Sequence, residues 1–242
     1  MTGGRSPGRP AGALVELVGI PGAGKSRLAQ ALTADLAARG IVTRQPQAPF
    51  GPSVPTTRRL ARKASVAGTA AVRSPVTTSR VLRGAARGQH GLGNLAGRLV
   101  QWLVAQGVLV SAPRDEVCVL DEGPVQALWS MGLRGDVGPV LAALEDPAAW
   151  RSPDLLVVVD VPPELALARL AARPSRHSRT QQLPAGEQLS ELQRGADLVD
   201  RLAQWWAGSA PDAREVLHVS GAGDAGAGYP ELLDRIAAPP RV

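Results

Sequence analysis

The 242-residue chain is short of several residue types: one cysteine, one phenylalanine, one tyrosine, one asparagine and two lysines. A single cysteine excludes an internal disulfide. Cys118 lies in the apolar run Val117-Cys118-Val119-Leu120, where it reads as a small buried strand residue. With so few rings, Ala, Val and Leu must fill the core. The lone asparagine, Asn94, is followed by Leu95, so the Asn-Lys-x-Asp signature that reads guanine is absent. No stretch reaches the roughly 18 uninterrupted apolar residues of a membrane span. Residues 1–10 are rich in Gly, Pro and Arg with no long apolar region after them, which reads as a disordered tail (1–11) rather than a signal peptide. These absences lead to the expectation of a cytoplasmic protein with no membrane partner.

Acidic residues are also missing from one long interval. Residues 36–114 contain no Asp or Glu but 12 of the 27 Lys and Arg. A one-sign block of this length implies a polyanionic partner, a phosphate-rich site or a solvated basic face. Stacking on single-stranded nucleic acid favours aromatics among the basic residues, and 56–88 has none. Nucleic acid is therefore not the expected partner, although a nucleic-acid-binding NTPase using that stretch remains a rival reading.

Residues 19–26 read Gly-Ile-Pro-Gly-Ala-Gly-Lys-Ser and fit G-x-x-x-x-G-K-[ST] without a mismatch. An apolar strand pattern precedes them (13–18) and a helical one follows. In that setting glycines let backbone N–H groups converge on phosphate oxygens, and the helix N-terminus adds the positive end of its dipole. Gly19, Pro21, Gly22, Ala23, Gly24, Lys25, Ser26 and Arg27 are the expected triphosphate-binding residues. Lys25 brings a point charge to the β/γ-phosphates, and the Ser26 hydroxyl can reach Mg²⁺. In so arginine-biased a chain a lysine here is informative, because a compact ammonium fits a phosphate cradle better than a planar fork does.

Downstream, short apolar runs alternate with helical patterns. Strands are expected at 41–44, 116–121, 155–159 and 215–219. Helices are expected at 25–39, with Gly40 as its C-cap, and at 92–110, 125–131, 137–144, 164–172, 187–207 and 229–238. Residues 45–55 read as a Pro-rich loop, 56–88 as helices broken at Gly68, Pro75 and Gly84, and 173–184 as an Arg-rich loop. Apolar runs without alternation, separated by helices, imply a three-layer α/β architecture. It is a P-loop NTPase fold with a five-stranded parallel sheet and helices on both faces. Ligands in such sheets sit beyond the carboxyl ends of the strands. One domain is expected over 12–242, with 51–90 a basic helical insertion and 173–184 a lid loop.

The strand at 116–121 ends in Asp121-Glu122. An acid there can face the phosphate loop and hold a metal-bound water, and Asp121 is the candidate Mg²⁺ partner of Ser26. Glu122 can take or orient the acceptor's proton; a plain helix N-cap pair is the alternative. Arg169 and Arg173, four apart on one helix face, run on to Arg176 and Arg179. Mobile arginines of this kind stabilise charge on a phosphoryl group in transfer. Arg44 and Arg98 can hold an anionic acceptor by forked contacts. The expected activity is that of an ATP- and Mg²⁺-dependent kinase. Its acceptor is a small molecule, read as anionic; a nucleoside, sugar or metabolite hydroxyl, or nucleotide binding without turnover, stays open.

With these segments the chain resembles the thymidylate kinase-like group of nucleoside and nucleotide kinases from about residue 13 to 238. Residues 51–90 match poorly. Thr43-Arg44-Gln45-Pro46 resembles the family's Thr-Arg-Glu-Pro segment, and Ala96-Gly97-Arg98 its Ala-x-Arg helix. Asp121-Glu122 stands where the family has Asp-Arg, the arginines from Arg169 to Arg179 resemble its lid, and Val219-Ser220-Gly221-Ala222 its adenine loop. The resemblance implies a nucleotide as acceptor; a homodimer is carried as an expectation only. Gln45 and Glu122 depart from the pattern, and Ala127-Leu128-Trp129-Ser130 replaces the base-reading Ala-Tyr-Gln-Gly segment.

Overall fold

Five strands form one parallel sheet: β1 (Leu14–Val18), β2 (Thr43–Arg44), β3 (Val117–Leu120), β4 (Leu155–Asp160) and β5 (Glu215–Ser220). Their order is β2-β3-β1-β4-β5. The computed structural model describes residues 12–46, 55–89, 91–146, 149–173, 179–209, 214–223 and 226–238. The expected tail at 1–11, much of the expected loop at 45–55, and Arg176 lie outside the described residues.

Central strands are apolar without alternation because both faces are covered. Every residue of β1 and β3 is buried, as are the first five of β4. Glu16 breaks the pattern, a carboxyl group in the middle of β1 and fully buried. β1 sends the chain leftward through α1 (Lys25–Ala38) to β2, while β3 and β4 send it the other way. That reversal opens a crevice at the carboxyl end of β1. α1 packs with α9 (Tyr229–Ala237). On the other face, α5 (Pro124–Gly132) packs on β1, and α8 (Ala185–Gly208) packs on β4, β5 and α5.

The basic stretch forms α2 (Thr56–Arg73) and α3 (Pro75–Gly88). The break falls at Pro75, which takes the first helical turn where its missing N–H costs nothing. Gly68 and Gly84, expected as breaks, lie inside the helices. α2 packs along α4 (Leu92–Val110), and α3 packs along α6 (Gly138–Ala143). Two further expectations are corrected. β2 is shorter than 41–44 because only Thr43 and Arg44 find register partners, Val117 and Cys118. Within the expected loop at 173–184, residues Thr180–Gln182 form a 3-10 turn that packs on α8. α7 (Pro163–Ala171) carries the chain from β4 towards that region. Among the described residues no helix is long and apolar enough to cross a membrane.

Candidate active site

The phosphate loop leaves β1 at Gly19 and re-enters a helix at Lys25. Gly22 and Gly24 have φ of 89° and 100°, the left-handed region where a side chain is strained. Gly22 also has no room, since a Cβ there would lie 2.6 Å from the carbonyl oxygen of Ala166 on α7. Lys25 Nζ donates to the carbonyls of Gly19 (2.6 Å) and Ile20 (3.2 Å). Burial of the ammonium pushes its pKa down to about 8, against the opposing pull of Glu122 and Asp121; the charge of Arg173 adds to the lowering.

Ser26 Oγ donates to Asp121 Oδ2 at 3.0 Å, joining the first turn of α1 to the end of β3. The pair fits a magnesium ion: two neighbouring oxygens of an octahedral ion with bonds of about 2.1 Å lie about 3 Å apart. Among the described residues no group of three or more His, Cys, Asp and Glu is built to hold a metal. One carboxylate, one hydroxyl and substrate phosphates form the donor set magnesium ordinarily takes.

Two cavities meet at this loop. The larger, about 500 Å³, runs from Gly22, Ala23 and Gly24 past Arg27 to Asp35, Ser220, Gly221 and Tyr229. The Tyr229 hydroxyl donates to Asp35 Oδ2 at 2.5 Å and closes its far end. Ser220 and Gly221, of the segment likened to an adenine loop, lie on its wall. The second cavity, about 380 Å³, lies over Pro21, Lys25 and Ser26 beside Asp121 and Glu122. Arg173 lines both. Arg169 lines the larger and reaches the carbonyl of Gly22 at 3.5 Å.

Arg98 is brought to the smaller cavity and is only 4% exposed. Its Nη1 donates to Ser130 Oγ (2.8 Å) and its Nε to Asn94 Oδ1 (3.3 Å), both neutral groups. Burial lowers its pKa to about 10, helped by the positive charges of Arg179 and Arg134. Arg134 pairs with the buried Glu191 at 3.1 Å, and Glu191 also accepts from Thr180 Oγ1 at 3.0 Å. The pKa of Glu122 is raised by desolvation and by the neighbouring charge of Asp121, while Lys25 and Lys63 oppose the rise. The only two lysines of the chain thus both act on this carboxylate.

Arg44 is not brought together with the other expected residues. It lines neither cavity. Its Nε and Nη2 form a fork to Glu116 at 2.7 and 3.1 Å, and that acid raises its pKa. β2 is an edge strand, and its register with β3 sets Arg44 beside the acid that precedes β3. Sequence reasoning missed Arg134, Gln126, Glu191 and Glu16. The first three reach the site from α5, the segment just after it, and α8, at spacings no short motif records. Glu16 carried a signal, as a lone acid inside an apolar strand.

A glycine-rich loop between a central strand and a helix, a hydroxyl–carboxylate pair beside it and arginines over it define a P-loop phosphotransferase. The chain is 34% identical over 173 residues to the thymidylate kinase of Dinoroseobacter shibae, a match that covers 69% of this chain and 73% of that protein. It belongs to the thymidylate kinase family and is a kinase. Comparison with protein-family models finds no match. Two solved structures share the fold. Deoxyadenosine kinase from M. mycoides with bound dATP has a TM-score of 0.52 at 12% identity, over 93% of this chain and 100% of that one. The same enzyme with dCMP and dCDP gives 0.50 at 13% identity, over 92% and 95%.

Proposed function

We propose that this kinase moves the γ-phosphoryl group of ATP, with Mg²⁺, to a nucleoside monophosphate. The observation that carries the reading is Arg98. A guanidinium buried with the neutral partners Ser130 and Asn94, with Arg134 and Arg179 adding positive charge against the opposing pull of Glu191, suits an anion in the cavity it lines. A phosphate on the acceptor supplies that anion. The larger cavity suits the donor's nucleoside, with its phosphates running over the loop N–H groups towards Lys25 and Ser26, where the two cavities meet. Ser26 and Asp121 would hold the magnesium ion, which supplies charge neutralisation on the phosphates when bound. Arg173 borders both cavities and is the candidate to neutralise charge on the group in transfer, with Arg169 behind it.

A second reading rests on Glu122. A carboxylate with a raised pKa beside the phosphate loop suits a base acting on a neutral hydroxyl. The test is ADP release with ATP, Mg²⁺ and a panel of nucleoside monophosphates, nucleosides and sugars. Release that depends on a monophosphate is expected, and Arg98→Ala should raise the acceptor KM about 10–100-fold, the worth of one or two charge-assisted hydrogen bonds. Release only with an uncharged acceptor establishes the second reading instead.

A further inference from the structure

Glu16 is an acid no step above uses. It sits in the central strand, fully buried, in register with Leu120 of β3 and Leu156 of β4. Its Oε1 accepts the backbone N–H of Gln126 at 2.7 Å. Its Oε2 is buried without a hydrogen-bond partner. The same Gln126 accepts the N–H of Gly19 through its side-chain oxygen at 3.1 Å and borders the acceptor cavity. Gly123, in the turn that follows Asp121-Glu122, lies directly against the carboxyl group. A Cβ there would be 2.5 Å from Oε2.

We propose that Glu16 is a positioning residue for phosphoryl transfer. From inside the sheet it fixes the start of α5 and, through Gln126, the first glycine of the phosphate loop, so that the loop and the Asp121–Glu122 turn keep one relative geometry. A core group with an orphaned oxygen is expensive to keep. A leucine would fill the same space at less cost, but it would accept no hydrogen bond from Gln126 and would leave that end of α5 unheld. The carboxyl does this as the uncharged acid. Burial raises its pKa to about 8, offset only by the backbone N–H groups of Gln126 and Val125. The ionisable groups on the elements packed against β1 are Lys25, Arg27 and Asp35 on α1, Cys118, Asp121 and Glu122 on and after β3, and Asp154 and Asp160 at the ends of β4. α5 has none. Above pH 8, Glu16 ionises; the carboxylate still accepts the N–H of Gln126, but the charge on the unpartnered Oε2 is left in a dry position against Gly123 and disturbs the Asp121–Glu122 turn.

This inference needs only the kinase fold and its donor, not the identity of the acceptor. The experiment is calorimetric binding of Mg-ATP to wild type, E16Q, E16L and Q126A between pH 6 and 10. In wild type, affinity should fall more steeply above pH 8 than in E16Q. E16Q keeps the acceptor oxygen and should match wild type within about three-fold at pH 7, with a shallower alkaline fall. E16L should bind about 10-fold more weakly at pH 7, and combining it with Q126A should add little. Identical alkaline curves for wild type and E16Q would overturn the proposal, as would wild-type affinity in a folded E16L. The infrared C=O band of a protonated carboxyl group should be present at pH 7 and missing in E16Q. Its absence from wild type refutes the proposal even if E16L fails to fold or ATP is not the donor.

Discussion

Lys25→Met should separate the stability of this fold from its chemistry. The unliganded protein holds an ammonium whose pKa is about 8, against an ordinary 10.5. The unfolded chain therefore keeps its proton more firmly, and the fold carries a cost at every pH below 8. That cost fades as pH climbs from 8 to 10.5. Each pH unit between the two values is worth about 1.4 kcal/mol, a total of about 3 kcal/mol. Lys25 is partly open to solvent, and screening cuts this to about 2 kcal/mol. Methionine also forfeits hydrogen bonds to Gly19 and Ile20, worth about 1 kcal/mol each. The two effects nearly cancel at pH 7, so the informative quantity is the pH dependence. Urea unfolding of both proteins at pH 7 and 9.5 should show wild type gaining about 1–2 kcal/mol on the variant over that range. Transfer should be abolished at both. A constant stability difference would refute the assigned ammonium environment, and undiminished turnover would refute its role.

Arg44→Ala should leave kcat and both KM values within about two-fold, because the residue is committed to Glu116 at the sheet edge. A ten-fold rise in acceptor KM, measured by coupled ADP release, would restore Arg44 to the site. Gly123→Ala drives a methyl group into the Glu16 carboxyl and should destabilise the protein by about 1–3 kcal/mol, the range for overpacking. Thermal unfolding checks this, and Gly123→Ala combined with Glu16→Ala should recover part of the loss.

The strand–loop–helix unit was legible in the sequence because its parts are contiguous. Strand, loop and helix occupy adjacent residues, and eight of them state the chemistry. Asp121 was legible too, since an acid ending an apolar strand has a fixed place in a parallel sheet. The second cavity was less legible. Arg98 lines it, but its neighbours Arg134 and Ser130 come from other segments. Arg44, expected with Arg98, lies outside it, and a two-residue edge strand gives no warning that a neighbouring acid will claim it. Glu191 sits in a long amphipathic helix, where one more acid among many looks like surface. Burial is a property of the fold and leaves no local mark of its own.

Gly22 rests on the backbone of Ala166 and is also touched by Arg169. The phosphate loop and the helix bearing Arg169 are thus one mechanical unit drawn from β1, α1 and α7. The opposite wall comes from α4, α5 and α8. Drift on that wall can reshape the second cavity while the loop beneath it stays fixed. A chain can therefore swap several signature residues around that cavity and keep its phosphate loop letter-perfect.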